Sequence, residues 1–244
     1  MKQFGMIVPL RKAVNKKNHR TKKRNSHGAR QVKHMKNFDN SFLNDTIKLI
    51  AGTDEAGRGP LAGPVVAASV IFSPDVYIDG VNDSKQLSAK KREMLFEEII
   101  KNSLSYGISV VSHNKIDEIN ILNASLLAML NSVKILKVKP DLVLVDGNRS
   151  FSYDVHIKTV VKGDSKSFCI AAASVLAKVT RDEIMKRLSY RFPEYNWEQN
   201  KGYPTKQHIQ TIKLIGASAL HRKTFLKNIL KDKSETGFKP QAVY

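Results

Sequence analysis

The strongest constraint on the fold is an alternation, beginning near Thr46, of short apolar runs with longer amphipathic segments. The short runs are rich in β-branched residues and predict strands, whereas the longer segments repeat apolar residues at helical spacing. The predicted strands are 47–53, 64–72, 104–111, 141–145 and 156–161, and the predicted helices are 88–102, 114–136, 165–190, 205–215 and 221–230. Strands that alternate with helices predict an α/β layer fold.

The chain is strongly basic, and the excess charge is concentrated at one end. The 41 Lys and Arg residues outnumber the 22 Asp and Glu residues by 19, and residues 1–40 alone contribute +11. This balance favours a polyanionic partner such as nucleic acid. Residues 1–45 show little apolar periodicity, so we expect a basic, disordered extension that binds phosphates non-specifically, although Met35 could also begin the chain. We expect deletion of residues 1–40 to weaken salt-sensitive binding and to spare the chemistry.

Cysteine content and apolar runs exclude several classes of protein. The single cysteine, Cys169, rules out an intramolecular disulfide and a Cys-based zinc site, and is itself expected to be a small buried helix residue. The apolar runs are shorter than the roughly 18 residues that a membrane span needs. No export signal is recognisable, so we expect a cytoplasmic protein without membrane association. Residues 46–232 are expected to form one domain, followed by a tail at 233–244.

Four acidic residues adjoin the predicted strands. Asp54 and Glu55 end one apolar run, Asp146 follows another, and Asp164 lies between a strand and the longest helix. Two carboxylates about 4 Å apart repel each other by roughly 4 kcal/mol at an effective dielectric near 20, so a converging set would need divalent cations. Oxygen ligands suit Mg²⁺ or Mn²⁺, and two such ions support phosphodiester cleavage.

Each acid also has a purely structural interpretation. Asp164 could cap the helix that follows it, and Asp146 could be a turn residue before Gly147. Asp54 and Glu55 could lie in a solvated loop. The spacing of the acids alone does not decide between these interpretations and a metal site.

The segment 52–68, with the sequence GTDEAGRGPLAGPVVAA, resembles the opening motif of bacterial ribonuclease HII. Further segments resemble the blocks of that family in the same order: DSKQL at 83–87, VDGN at 145–148, KGD at 162–164, AAAS at 171–174, AKVTRD at 177–182, and GYP at 202–204 with His208. Together they cover about residues 48 to 225. The combination is far more specific than any single block.

This resemblance implies a ribonuclease H-like mixed sheet flanked by helices, with a helical C-terminal part, and a catalytic domain at 46–232. It implies that Asp54, Glu55, Asp146 and Asp164 are the catalytic residues and bind the metal ions, Mn²⁺ or Mg²⁺. The implied reaction is two-metal-ion hydrolysis of the RNA strand of RNA/DNA hybrids, and nicking 5′ of single ribonucleotides in duplex DNA. It leaves 3′-hydroxyl and 5′-phosphate ends. A monomer acting in ribonucleotide excision repair or DNA replication is implied.

The resemblance also implies which residues bind substrate. Gly57, Arg58 and Gly59 correspond to the segment that recognises the 2′-hydroxyl at the RNA–DNA junction, where glycines allow close backbone approach. Tyr203 corresponds to the tyrosine that stacks on the deoxyribose after the junction. The remaining positions correspond to contacts with backbone phosphates: Ser84, Lys85, Ser174 and Lys178.

Structural alternatives exist for these residues as well. The glycines could serve only to turn the chain, and Lys178 could pair with Asp182 one helical turn away. His208 could lie near the acids or within the core. Trp197 and Tyr195 are expected to pack against other side chains instead of stacking on bases.

Three other kinds of protein remain as alternatives. Members of the ribonuclease HIII family lack the Gly-Arg-Gly segment and carry a folded N-terminal domain. The catalytic subunit of eukaryotic ribonuclease H2 differs from this chain in overall length and in the sequence that corresponds to residues 61–68. The alternative from another class is a nucleic-acid-binding module whose acids are structural. Such a module would bind duplexes in the presence of a chelator and would not cleave them.

Overall fold

The computed structural model describes residues 25 to 231. Five strands form one mixed sheet in the order β3-β2-β1-β4-β5. Strand β1 pairs antiparallel with β2 and parallel with β4; β2 pairs antiparallel with β3, and β4 parallel with β5. The strands are β1 (Ile50–Ala56), β2 (Val65–Ile71), β3 (Ser105–Val111), β4 (Leu142–Asp146) and β5 (His156–Val160). This arrangement confirms the predicted α/β class with a mixed sheet.

Seven α-helices are present within residues 25 to 231, and short 3₁₀ turns occupy Ser84–Gln86, Gly163–Ser165 and Pro193–Tyr195. The helices are α1 (Asn25–Asn40), α2 (Ala89–Asn102), α3 (His113–Lys134), α4 (Phe168–Ser189), α5 (Trp197–Asn200), α6 (Lys206–Ile215) and α7 (Lys223–Lys231). None of these helices is long and apolar enough to cross a membrane. The last three form the expected helical C-terminal part.

Helices α3 and α4 cover opposite faces of the sheet. Successive residues of a strand point to opposite faces, and in β2 Ala67 packs in the cluster with α3 while Ala68 packs in the cluster with α4. Helix α4 approaches the sheet closely because Gly52 of β1 has no side chain; a Cβ there would lie 2.2 Å from the backbone carbon of Cys169. Cys169 is buried, as predicted.

The prediction of a disordered extension over residues 1–45 is wrong for the part that the structure describes. Residues 25–40 form α1, and Val32 and Met35 are fully buried in the cluster around α4. Asp39 accepts a hydrogen bond from the backbone N–H of Cys169 at 2.9 Å. The many lysines obscured a helical apolar face, so the ordered domain begins well before Thr46. Residues 1–24 and the predicted tail at 233–244 lie outside the described residues.

Candidate active site

Three of the four predicted acids converge at one edge of the sheet. Asp54 lies near the end of β1 and Asp146 ends β4, and the carboxyl ends of these adjacent parallel strands meet. Asp164 lies in the 3₁₀ turn between β5 and α4. One carboxylate oxygen from each of Asp54, Asp146 and Asp164 lies within 4.8 Å of the others. The structure thus brings together side chains that are 92 and 18 positions apart in the chain.

Burial and mutual repulsion make this cluster costly to ionise. Burial, followed by the charges of Glu55 and Asp146, raises the pKa of Asp54 well above its usual value. Burial and the charge of Asp164 raise the pKa of Asp146. A hard divalent cation would offset both effects because it supplies positive charge and takes oxygen ligands. The donor set therefore fits Mg²⁺ or Mn²⁺.

Backbone groups orient two of the carboxylates. The N–H of Gly163 donates to Oδ1 of Asp146 at 2.6 Å, and the N–H of Glu55 donates to Oδ1 of Asp54 at 2.7 Å. Asp164 is not the helix cap, because the Oγ of Ser167 accepts from the N–H of Ile170 and caps α4 instead. The structural alternative for Asp164 is thereby excluded.

Glu55 lies beside the three-carboxylate cluster and is not one of its members. Its Oε1 lies 3.4 Å from Nη1 of Arg58, and it borders a cleft with Asp146 and Arg149. Burial raises the pKa of Glu55, an effect that the Arg58 guanidinium partly offsets. Glu55 directly follows Asp54 near the end of β1, so it lies close enough to the cluster for their charges to interact.

Two buried arginines, which the sequence analysis did not identify, bind the Gly57–Arg58–Gly59 loop and the chain that follows it. Arg222 donates from Nη2 to the carbonyl of Gly57 at 2.7 Å and from Nη1 to that of Arg58 at 3.0 Å. Arg181 donates from Nε to the carbonyl of Pro64 at 3.0 Å. Both arginines are fully buried. Among residues 25 to 231, no carboxylate forms an ion pair with either one.

The predicted phosphate contacts lie together on the α4 side of the cluster. The Oγ atoms of Ser174 and Ser84 are 2.6 Å apart, and both serines are buried. Nζ of Lys85 lies 3.3 Å from Oδ2 of Asp164. Nζ of Lys178 lies 2.7 Å from Oδ1 of Asp182, so the ion pair considered as its structural alternative is formed here.

Tyr203 lies against the Gly-Arg-Gly loop. A Cβ added to Gly59 would contact Cε1 of Tyr203 at 3.6 Å, and Nζ of Lys178 lies 5.9 Å from the centre of the ring. The tyrosine is 40% exposed, which leaves its ring accessible beside the loop. The two segments that the resemblance assigns to junction recognition are thus neighbours.

His208 is buried within the C-terminal part and does not belong to the carboxylate cluster. Its ring forms a cluster with Trp197, Tyr195 and His221, so the core alternative for His208 is the one observed. Trp197 and Tyr195 pack within this cluster, as expected.

Comparison with known proteins is consistent with this geometry. A family model described as Ribonuclease HII matches residues 51–228. Ribonuclease HII of Caldicellulosiruptor saccharolyticus is 50% identical over 194 residues, which cover 80% of this chain and 95% of that protein. Ribonuclease HII of Clostridioides difficile is 52% identical over 193 residues, covering 79% and 76%. The crystal structure of ribonuclease H2 from Pyrococcus horikoshii aligns with a TM-score of 0.63 at 28% identity, covering 77% of this chain and 98% of that one.

Proposed function

Because the chain belongs to the ribonuclease HII family and is therefore a metal-dependent endoribonuclease of RNA/DNA hybrids, we propose that it also nicks duplex DNA 5′ of a single embedded ribonucleotide. The products would carry a 3′-hydroxyl and a 5′-phosphate. The observation that carries this proposal is the position of Tyr203 against Gly59, in the loop that directly follows the strand of Asp54 and Glu55. A sugar bound between Tyr203 and Gly59 would have its 2′-hydroxyl recognised beside the cleavage site.

We propose that Asp54, Glu55, Asp146 and Asp164 are the catalytic residues and bind two divalent ions. When bound, Mg²⁺ or Mn²⁺ would activate a water molecule and stabilise the leaving 3′ oxygen. The chain's own contribution is to hold the carboxylates in position through the N–H groups of Gly163 and Glu55. Because burial and the neighbouring acids raise the pKa of Asp54, protons would compete with the cations for this carboxylate, and metal binding would release protons.

We propose that the remaining site residues hold the duplex. Ser84, Lys85, Ser174 and Lys178 would contact backbone phosphates, which fixes the position of the strand without reading its sequence. Nζ of Lys85 and Lys178 now contact Asp164 and Asp182, and a phosphate would compete for these ammonium groups. Gly57, Arg58 and Gly59 would present backbone groups to the ribose, because Arg222 already engages the carbonyls of Gly57 and Arg58 and so fixes the orientation of those peptides.

We also propose that the protein acts as a monomer in the cytoplasm, in ribonucleotide removal or DNA replication. The three converged carboxylates lie in one described chain, so the proposed metal site does not require a second copy. The cytoplasm is proposed because the similar ribonucleases HII are bacterial proteins, and the DNA of a bacterium lies in the cytoplasm. We place the catalytic domain at residues 25 to 232, extended from the predicted start at 46 because α1 packs on α4.

The deciding experiment is cleavage of an end-labelled DNA duplex that contains one ribonucleotide. It is run with Mg²⁺, with Mn²⁺ and with chelator, beside an all-DNA duplex and a long RNA/DNA hybrid. We expect one metal-dependent nick on the 5′ side of the ribonucleotide. Cleavage of the long hybrid without nicking at the single ribonucleotide would agree with the proposed metal site and would refute the proposed junction recognition. Binding without any cleavage would favour the nucleic-acid-binding module.

A further inference from the structure

Two buried histidines connect the segments that carry the proposed junction recognition. His208 lies on α6 and His221 lies just before α7, and both are buried. Their Nε2 atoms are 3.1 Å apart, and Nε1 of Trp197 lies 3.1 Å from Nε2 of His208. Neither histidine belongs to the carboxylate cluster, so the proposed chemistry does not account for them.

The hydrogen-bond partners assign a proton to one nitrogen of each ring. The backbone N–H of Ser218 donates to Nδ1 of His221 at 2.9 Å, so His221 carries its proton on Nε2. Nδ1 of His208 lies 2.9 Å from the carbonyl oxygen of Tyr203, which can only accept, so His208 carries its proton on Nδ1. The single lone pair on Nε2 of His208 is then shared between the N–H groups of Trp197 and His221, each at 3.1 Å. With both rings neutral, every ring nitrogen of the pair has a partner.

This pair joins the backbone of Tyr203 to the chain that follows the Gly-Arg-Gly loop. On one side, the ring of His208 fixes the Tyr203 carbonyl, which also accepts from the N–H of Thr205 at 2.8 Å. On the other side, His221 forms an antiparallel bridge with Ala62, three residues after Gly59. The two segments are also joined directly, because the N–H of Leu61 donates to the carbonyl of Gly202 at 2.8 Å, and the hydrogen bond between the two rings adds a side-chain link beside it.

We propose that His208 and His221 are positioning residues that set the separation of Tyr203 from Gly59, and thereby the preference for a ribonucleotide followed by DNA. This inference rests on the proposed function, because it concerns substrate choice at the same site. The occupant is a duplex with an RNA–DNA junction, whose first deoxyribose would meet the Tyr203 ring. A shift of the tyrosine backbone would change the space that distinguishes deoxyribose from ribose.

The surroundings of the pair keep both rings neutral. Burial lowers the pKa of His208, and burial together with the neighbouring His208 lowers the pKa of His221 to about 4. The other titratable groups that face the pair are His113, which also disfavours a charge on His221, and Tyr195, whose ring lies 4.8 Å from that of His221. Both rings therefore stay neutral near neutral pH, and the hydrogen bonds between them and to Tyr203 persist there.

The test compares three full-length variants in the presence of Mg²⁺. The amide nitrogen of His208→Asn occupies the place of Nδ1 and can still donate to the Tyr203 carbonyl, whereas that of His208→Gln lies near Nε2 and cannot. Trp197→Phe removes a donor from the same cluster without touching that carbonyl. The readout is the ratio of the nicking rate at a single ribonucleotide to the hydrolysis rate of a long hybrid.

We expect His208→Gln to lower this ratio about tenfold, and His208→Asn and Trp197→Phe to keep it within about threefold, although all three lose thermal stability. Equal ratios for all variants and wild type, or an equal loss in Trp197→Phe, would overturn the inference. Failure of the wild type to nick at all would instead refute the proposed function.

A second measurement is independent of activity. Nitrogen-15 spectra of the imidazoles should show His208 protonated on Nδ1 and His221 protonated on Nε2. Protonation of His208 on Nε2 alone would remove its bond to Tyr203 and would overturn the inference.

Discussion

A Cβ atom added to Gly57 would lie 2.2 Å from Nε of Arg181. The loop and the buried guanidinium can approach each other this closely only because residue 57 has no side chain. The backbone of Gly57 also has φ of +104°, a region that other residues rarely adopt. The junction recognition proposed above would therefore depend on a glycine at position 57, because a side chain there would collide with Arg181.

Gly57→Ala should consequently impair both folding and nicking. We expect a loss of about 3 kcal/mol of unfolding free energy, from backbone strain and from displacement of Arg181. The matched control is Gly216→Ala, where φ is +89° and no atom lies within 4 Å of an added Cβ. That variant should lose about 1 to 2 kcal/mol and keep the wild-type ratio of nicking to hybrid hydrolysis. Chemical denaturation and the cleavage assay would check both, and equal losses would contradict the steric argument.

Asp54→Asn should abolish cleavage while stabilising the metal-free protein. The substitution removes a buried charge whose pKa is raised by burial and by neighbouring acids, so we expect a gain of about 1 kcal/mol in chelator. Added Mn²⁺ should raise the melting temperature of the wild type and have little effect on the variant. Asp154→Asn, at an exposed residue paired with Lys139, is the control and should respond to Mn²⁺ like the wild type. A metal response that survives in Asp54→Asn would argue against Asp54 as a ligand.

Stability of the metal-free protein should fall as pH rises above about 4, relative to Asp54→Asn at each pH. The carboxyl pKa of Asp54 is raised in the fold, so its contribution is fully present below the unfolded pKa and is lost as pH rises through the folded pKa. Subtracting the variant cancels the titration of the buried histidines. Saturating Mg²⁺ should make the difference in unfolding free energy between the wild type and Asp54→Asn less dependent on pH, because the cation replaces the protons. Urea denaturation at a series of pH values measures this, and a difference that grows in the opposite direction would be incompatible with a raised pKa.

Removal of residues 1–40 should destabilise the fold, contrary to the expectation drawn from charge. It would eliminate buried Val32 and Met35 and the hydrogen bond from Cys169 to Asp39, with a loss of more than about 4 kcal/mol. Removal of residues 1–24 only, nine of which are Lys or Arg, should leave the melting temperature unchanged and reduce the salt dependence of duplex binding. Equal melting temperatures for the two truncations would show that α1 does not stabilise the domain.

The sequence predicted the apolar runs and the acids beside them, but not the order of the strands. Asp54 and Asp146 each follow such a run, and only the resemblance to ribonuclease HII grouped them in one site, because the spacing of the acids left structural alternatives open. The pattern also placed β2, β3, β4 and the long helices within a few residues of their observed positions. The structural interpretation of Asp164 is wrong because Ser167, three residues later, caps the helix.

The parts that the sequence did not predict depend on contacts between distant segments. The sequence analysis did not single out Arg181 and Arg222, because most of the carbonyl groups that they bind come from a segment more than 100 residues earlier. One available signal was that Arg181 lies one turn before buried Met185 on the same helix face. In α1, the high density of charge hid the apolar residues Val32 and Met35.

The contact between Gly52 and α4 has a further consequence for how the protein meets its substrate. Asp54 lies two residues after Gly52, and Ser174 and Lys178 lie on the helix that packs against it. Close packing of β1 on α4 therefore fixes the spacing between Asp54 and two of the proposed phosphate contacts, Ser174 and Lys178. If those two residues hold phosphates as proposed, a strand must match that spacing with its own phosphates, and a helical form with a different backbone geometry would bind less well.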